Sequence, residues 1–264
     1  MSNYKPRVVD TILADKLNEK GAVVIEGPKW CGKTTTASQV AKSILRMDEP
    51  KKRDENLQQS EINPEVLLAG ETPRLIDEWQ IAPIIWDSIR YEVDTRGKEG
   101  QFILTGSAVP LDSKEITHSG TGRFTWLTMR PMSLFESAES TGEVSLAELF
   151  KSPAKIGGKN PLTIEKLAFA ICRGGWPHAI EMNEKAALAQ AFDYYDAVVR
   201  SDINRADGVN KNPERVKRLM RSYARNQGAQ ISSTMLRDDI AGNDIQSINT
   251  NTVLSYIDAL KKSL

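Results

Sequence analysis

The stretch that decides the fold is Ala22–Thr36, which reads AVVIEGPKWCGKTTT. It opens with AVVI, a short apolar run rich in β-branched residues, and this pattern predicts a strand buried on both faces of a parallel sheet. A turn with two glycines follows at Gly27–Gly32, and helical spacing then continues to about Leu45. A strand, a glycine-containing turn and a helix in this order indicate a phosphate-binding loop.

The turn matches the pattern G-x-x-x-x-G-K-[ST]. Glycines let backbone N–H groups turn inward around a phosphate, Lys33 brings a cation to the β- and γ-phosphates, and Thr34 offers a hydroxyl to Mg²⁺. The sequence therefore predicts ATP and Mg²⁺ as ligands, whereas the alternative is a glycine turn with a solvated lysine. The residues expected to contact the nucleotide are Gly27, Pro28, Lys29, Trp30, Cys31, Gly32, Lys33, Thr34 and Thr35.

A second apolar strand, Arg74–Ile76, is followed by two carboxylates, Asp77 and Glu78. Asp77 is predicted to hold Mg²⁺ together with Thr34, and Glu78 to activate the attacking water. Without the upstream loop, an ordinary acidic strand end would be the better interpretation. A kinase uses its acceptor's hydroxyl instead of water, so the Asp-Glu pair favours an ATPase.

Two further positions are candidates for catalysis. A third strand, Gln101–Leu104, ends in Thr105-Gly106-Ser107, and we expect Ser107, ahead of Thr105, to help position water. The alternative is a Ser/Thr cap on the next turn. Arg123, which follows Gly122, is predicted to stabilise transition-state charge in its own chain or in a neighbouring subunit, unless it is a plain surface arginine.

Composition excludes several classes of function. The 35 basic and 35 acidic side chains of the 264-residue chain cancel, so overall charge does not call for nucleic acid. The two cysteines are far apart, which disfavours zinc sites and disulfide frameworks. There is no signal-peptide pattern and no apolar run of the ~20 residues that span a bilayer, so we expect a soluble, cytoplasmic protein without a membrane partner.

The pattern changes near residue 150. A fourth strand is predicted at Phe124–Met129, and the segment Lys151–Pro161 (KSPAKIGGKNP) has the composition of a linker. Only helical patterns follow it. We therefore predict an ATP-binding domain at 1–150 and a helical domain at 151–264.

The C-terminal half carries a concentration of charge, with eight basic and three acidic side chains in residues 200–225. Lys211, Arg215, Arg218 and Arg225 are predicted to lie near one helical face. Helical patterns at Ile231–Ile240 and Thr250–Leu260 then suggest a helix-turn-helix. DNA binding is one interpretation, but charged faces are usually solvated and nearby acids would repel phosphates, so a protein-facing or packing role is favoured.

Together these segments resemble one prokaryotic family of AAA-type ATPases whose chains carry a second domain of uncharacterised function. The resemblance covers about Arg7–Leu260. It rests on GPKWCGKTTTA, on LIDEWQ with the AP, IWD, IR and VD that follow, on FILTGSA, on the glycine-arginine pair before RPMSLFE, and on CRGGWPHAIE at 172–181.

The resemblance implies a fold and a set of roles. The expected fold is an α/β P-loop NTPase core with a five-stranded parallel sheet, followed by an all-helical, winged-helix or helix-turn-helix domain. The implied roles are those given above for Lys33, Thr34, Asp77 and Glu78, with a polar sensor at Ser107 and an arginine at Arg123. Family chains usually continue beyond a segment like NTNTVLSYIDALKKSL, so a short or truncated form is expected here.

The resulting hypothesis is an Mg²⁺-dependent ATPase that drives a conformational change in its C-terminal domain, with a protein client or a neighbouring subunit as partner. Three alternatives remain open: a nucleotide-dependent switch with little turnover, an ATP-gated DNA-binding regulator and, less favoured, a P-loop kinase.

Overall fold

The computed structural model describes residues 4–106, 116, 119–155, 157–205, 209–241 and 249–263. They contain five strands and thirteen α-helices. The strands are β1 (Ala22–Glu26), β2 (Ser43–Arg46), β3 (Arg74–Asp77), β4 (Phe102–Thr105) and β5 (Phe124–Thr128). The first unit of the chain, Met1–Leu188, contains all five.

The helices of this first unit are α1 (Val9–Glu19), α2 (Lys33–Val40), α3 (Arg53–Ile62), α4 (Pro64–Leu68), α5 (Ile85–Arg96), α6 (Leu146–Lys151), α7 (Ile164–Arg173) and α8 (Pro177–Ile180). A ninth helix, α9 (Glu184–Ala197), crosses into the second unit. None of the described helices is long and apolar enough to cross a membrane.

All neighbouring strands are parallel, in the order β2-β3-β4-β1-β5. The predicted α/β class and five-stranded parallel core are therefore confirmed. Parallel strands need crossover connections, and the central strands β1, β3 and β4 are accordingly buried on both faces. The carboxyl ends of β1, β3 and β4 lie side by side, with Asp77 in register with Thr105 and Thr105 in register with Ile25.

Alternation along β1 divides the core into two layers. Val23 and Ile25 point to the face that packs on Leu13 and Leu17 of α1. Ala22 and Val24 point to the other face. That second layer contains Leu67, Leu68, Trp79, Ile85, Trp86, Ile89, Phe102, Leu104 and Phe124. The AVVI run is apolar at every position because each face of the strand has its own layer to contact.

β2 was not predicted. The sequence pattern suggested one helix from Lys33 to Leu45, but α2 ends at Val40. The backbone N–H of Lys42 then donates to the carbonyl of Pro73, which brings the chain beside β3. β2 is an edge strand in which half-buried and exposed residues alternate, and its Ile44 is 40% exposed, so local hydrophobicity gives little sign of it.

The second unit, Ala189–Leu264, is helical where the structure describes it, which confirms the predicted helical C-terminal region. After α9, a π-helical turn (Val198–Asp202) leads into α10 (Ile203–Arg205), α11 (Pro213–Arg225), α12 (Ser233–Ala241) and α13 (Thr250–Ser263). No strand occurs among its described residues, so no wing is seen there. The turn expected between the last two helices falls largely in 242–248, outside the described residues.

The compact units divide at Leu188, whereas the linker-like composition placed the boundary near residue 150. The segment beyond that linker packs within the first unit. Arg173 forms an ion pair with Glu139, and the backbone N–H of Met132 donates to the carbonyl of Gly175 at 2.6 Å. A glycine- and proline-rich composition signals a break in secondary structure, which need not be a break between compact units.

Trp86 is the centre of an aromatic cluster in one core layer. It is fully buried and stacks on Phe124 with ring centroids 3.9 Å apart. We expect Trp86→Ala to lower the free energy of unfolding by about 3–5 kcal/mol, because the substitution leaves a cavity in a packed layer. Urea titration followed by far-UV circular dichroism measures this loss. Tyr91→Ala, on the same helix but 58% exposed, is the control and should change stability by less than about 1 kcal/mol.

Candidate functional site

Three elements meet at one carboxylate oxygen. Oδ1 of Asp77, at the end of β3, accepts hydrogen bonds from Oγ1 of Thr34 at 2.8 Å and from Oγ1 of Thr105 at 2.6 Å. Thr34 lies in the first turn of α2, and Thr105 ends β4. Because Asp77 and Thr105 are only 7% and 0% exposed, this junction fixes the loop to the carboxyl edge of the sheet.

Lys33 is the first residue of α2, directly after the loop. Its Nζ donates to the carbonyl oxygens of Gly27 at 2.7 Å and Pro28 at 3.0 Å. Burial lowers the pKa of Lys33 below its ordinary value, and the nearby Cys31, Glu78 and Asp77 oppose this shift. The ammonium group is therefore within electrostatic reach of both predicted acidic residues, as the sequence required.

The loop backbone has the conformations that only glycine adopts without strain. Gly27 has φ 146° and Gly32 has φ 101°. A Cβ at Gly27 would overlap the carbonyl oxygen of Met129, which follows β5. The first glycine of the motif is therefore required both by its dihedral angle and by the close approach of a neighbouring backbone.

Glu78 has an unusual backbone conformation for a non-glycine residue, with φ 54° and ψ 42°. It precedes a 3₁₀ turn, Trp79–Ile81, whose first residue is fully buried. Left-handed conformations of this kind recur at functional sites, where the surrounding structure imposes them. The side-chain amide of Gln80 donates to Oε2 of Glu78.

Arg7 supports the loop from behind, a role that the sequence did not reveal. It is 7% exposed, and its Nη1 donates to the carbonyl of Cys31 at 2.8 Å. Its Nη2 donates to the carbonyl of Arg130 at 2.7 Å, and Nε pairs with Glu136 at 2.9 Å. Burial alone raises the pKa of Glu136, but hydrogen bonds from the backbone of Ser133 and from Val8 and Arg7 outweigh it and lower that pKa.

Another contact that the sequence did not reveal comes from the segment before α8. The indole Nε1 of Trp176 donates to the carbonyl of Lys29 in the loop at 3.3 Å. A Cβ at Gly32 would also lie 3.6 Å from Pro177. The loop is thus contacted by residues about 150 positions later in the chain, and no local pattern could indicate such a contact.

The structure does not bring Arg123 to this edge. It precedes β5, and its carbonyl accepts from the N–H of Ala22 at the amino end of β1. Five residues of β1 therefore separate it from the loop, about 16 Å at the usual rise per residue. Its guanidinium pairs with Asp94 at 2.7 Å, and the pKa of that carboxyl is lowered. An in-chain role for Arg123 has no support here, and a role in a neighbouring subunit stays a prediction.

Ser107, the predicted sensor, lies outside the described residues. Thr105, the other hydroxyl considered, is the one found on Asp77. The hydroxyl of Thr34 and the carboxylate of Asp77 are hard oxygen donors of the kind that Mg²⁺ prefers, so these two residues fit the ion.

The glycine loop between a buried parallel strand and a helix, with an acidic strand end beside it, defines a P-loop nucleotide-binding domain. Residues 19–138 match the family model described as "AAA domain", and residues 164–264 match a domain of unknown function (DUF8612). The chain therefore carries an AAA-type P-loop ATPase domain, followed by a second domain of unknown function.

One solved structure supports the fold, and two others show weaker similarity. The Walker-type ATPase PABY2304 of Pyrococcus abyssi is similar with a TM-score of 0.59 and 14% identity, over 98% of this chain and 90% of that one. AMPPCP-bound DnaA from Aquifex aeolicus gives 0.45 and 13%, over 99% and 89%. The Aeropyrum pernix ORC1 protein in complex with DNA gives 0.34 and 11%, over 99% and 85%. No curated protein sequence matches significantly.

The Arg173–Glu139 ion pair anchors the segment that contains Trp176, so a substitution of Arg173 tests how that segment packs. Arg173 donates to both carboxylate oxygens of Glu139, at 2.9 and 2.8 Å, and this bond holds the pKa of Glu139 below its ordinary 4.5. A lowered pKa stabilises the fold above pH 4.5, and this contribution is lost as the pH falls through the lowered value. We expect Arg173→Met to cost about 1–3 kcal/mol at pH 7.

The difference between this variant and the wild type should shrink as the pH falls below 4.5, in urea titrations at pH 7 and pH 3.5. Lys151→Met removes an exposed ion pair with Glu148 in the same unit and should change stability by at most about 0.5 kcal/mol at either pH. A pH-independent cost for Arg173→Met would contradict the assigned role of the pair.

Proposed function

We propose that this chain binds ATP with Mg²⁺ at the carboxyl edge of its sheet and hydrolyses it, with Glu78 as the general base. The observation that carries the proposal is the convergence of Lys33, Thr34, Asp77 and Glu78 at that edge. A carboxylate that can take a proton from water favours hydrolysis of ATP over phosphoryl transfer to a bound acceptor.

Lys33 is suited to bind the phosphates because its present partners are neutral. Its ammonium donates to two loop carbonyls, and an anionic phosphate oxygen is the stronger acceptor for the same N–H groups. The lysine stem is flexible, so Nζ can exchange acceptors while the loop backbone keeps its conformation. The positive end of α2 adds to the attraction.

Thr34 and Asp77 would hold Mg²⁺, which neutralises charge on the phosphates when it is bound. In the described structure the Asp77 carboxylate already orders the hydroxyls of Thr34 and Thr105. These groups therefore need little rearrangement to present oxygen ligands. Preorganised donors of this kind supply much of the electrostatic stabilisation in enzymes.

The coupling of ATP to the C-terminal domain is also part of the proposal. The domain of unknown function begins at residue 164, and Trp176 within it donates to the loop carbonyl of Lys29. A shift of the loop on nucleotide binding would change this contact directly. A protein client or a second subunit remains the favoured partner beyond the nucleotide.

A nucleotide-dependent switch with little turnover is the second candidate, and the position of Arg123 favours it. Without an arginine supplied from a neighbouring subunit, charge on the transferring phosphoryl group has less compensation and hydrolysis is slow. Phosphate release at a rate that does not depend on protein concentration would argue against help from a second subunit.

DNA binding gains no support from the basic residues of α11 or from Lys211, which precedes that helix. Nη1 of Arg218 donates to the carbonyls of Ile240 and Ala241 at 3.0 and 3.1 Å, where α12 ends. Arg225 pairs with Asp239 at 2.9 Å, and Lys211 is 2% exposed. Because several of these cations stabilise the fold, a packing role is favoured over phosphate contact.

Lys33→Ala should weaken ATP binding by about 100-fold or more, because the variant loses a charge-assisted bond to the phosphates. Titration of a fluorescent ATP analogue with Mg²⁺ measures the change. Lys42→Ala removes the same charge from an exposed position before β2 and is the matched control. Unchanged affinity in Lys33→Ala would exclude this site.

Glu78→Gln should keep ATP affinity within about threefold of wild type and lower the rate of phosphate release by about 10²- to 10⁴-fold. The amide occupies the same volume but does not accept a proton from water. Retained hydrolysis in this variant would assign the base elsewhere, and binding without release in both proteins would favour the switch.

A further inference from the structure

Gln80 lies in the LIDEWQ segment, two residues after Glu78, and the roles argued above do not account for it. Its side-chain Nε2 donates to Oε2 of Glu78, two residues earlier. The other side of the same amide lies against Gly106, the residue after β4, where a Cβ would overlap the amide oxygen of Gln80. The amide is therefore placed between the predicted base and the end of a neighbouring strand.

The backbone that carries Gln80 is firmly held. The N–H of Ile81 donates to the carbonyl of Glu78, and that of Ala82 to Trp79, both at 3.1 Å, which closes the 3₁₀ turn. Trp79 anchors this turn in the core, fully buried and 5.2 Å from Trp86 between ring centroids. The backbone from which the Gln80 side chain extends is therefore fixed by the fold.

A carboxylate that acts as a base must present one oxygen to water in a fixed direction, and small misplacements are costly. An exposed glutamate rotates about three side-chain bonds. A donor on one carboxylate oxygen fixes the plane of the group and hence the direction of the other oxygen. The amide of Gln80 is placed to do this, and Gly106 leaves the space that it occupies.

We propose that Gln80 is a positioning residue that holds the Glu78 carboxylate in the orientation needed to activate water, and that Gly106 is glycine to admit the Gln80 amide. This inference rests on the proposed ATPase function. It assigns Gln80 an effect on the hydrolytic step and none on nucleotide affinity, since the residue acts through Glu78.

The first test is Gln80→Met, which keeps the length of the side chain and removes the donor. We expect kcat for phosphate release to fall about 10- to 100-fold. The Kd for a fluorescent ATP analogue with Mg²⁺ should stay within about twofold of wild type, and the thermal midpoint should be unchanged. Unchanged kcat, or a parallel loss of affinity and kcat, would overturn the positioning role.

A double-mutant cycle that combines substitutions of Gln80 and Glu78 tests whether Gln80 acts through Glu78. When Glu78→Gln has removed the base, adding Gln80→Met should lower kcat no further, because no carboxylate remains to be oriented. Multiplicative effects of the two substitutions would show that Gln80 acts independently and would refute the inference.

Gly106→Ala is an independent variant that leaves the LIDEWQ segment intact. Its methyl group would displace the Gln80 amide, so kcat should fall about tenfold with affinity retained. In a Gln80→Ala background the obstacle is gone, and the same substitution should have little effect. An equal loss in both backgrounds would place the role of Gly106 elsewhere, and this cycle decides the question should Gln80→Met fail to fold.

Different results would contradict the proposed ATPase function and the positioning role of Gln80. Absence of hydrolysis by the wild-type chain would remove the ATPase function and this inference with it. Hydrolysis that depends on Glu78 but not on Gln80 would leave the ATPase function standing and remove only the inference.

Discussion

A single acceptor, Oδ1 of Asp77, is the point on which the site depends. It receives hydroxyl hydrogen bonds from Thr34 and Thr105, which belong to different elements of the domain. The sheet register brings them together, because β3 pairs with β4 and Asp77 lies opposite Thr105. Buried hydroxyls need acceptors, so a change at Asp77 would leave two donors unsatisfied at the base of the loop. The local packing of the loop against the sheet therefore depends on the carboxylate that we propose as a Mg²⁺ ligand.

Much of the sheet could be predicted because its central strands are buried on both faces. AVVI at 22–25 and FILT at 102–105 are apolar for this reason, and hydrophobicity alone reveals them. β2 at Ser43–Arg46 has a neighbour on one side only, and alternate residues face outward. It is a strand because it pairs with β3, and nothing within the strand itself encodes that partner.

The same distinction applies to the site. Lys33, Thr34, Asp77 and Glu78 follow strands, and parallel strands place their carboxyl ends at one edge, so local motifs predicted their meeting. Arg123 precedes its strand, and by the same rule it belongs at the opposite edge. That signal was present in the sequence, but the prediction for Arg123 rested on its flanking glycines and on the family resemblance. Arg7 and Trp176 support the loop across 24 and 147 residues of sequence, and a single sequence does not report such contacts.

The supports around the loop differ in what they allow to move. Arg7 binds the carbonyl of Cys31 with a buried guanidinium that is also paired with Glu136, an arrangement costly to break. Trp176 makes one neutral hydrogen bond to Lys29, at a longer distance. Of the two supports, the Trp176 hydrogen bond therefore costs less to break. Trp176 lies within residues 164–264, which match the domain of unknown function, so the weaker of the two supports comes from that domain.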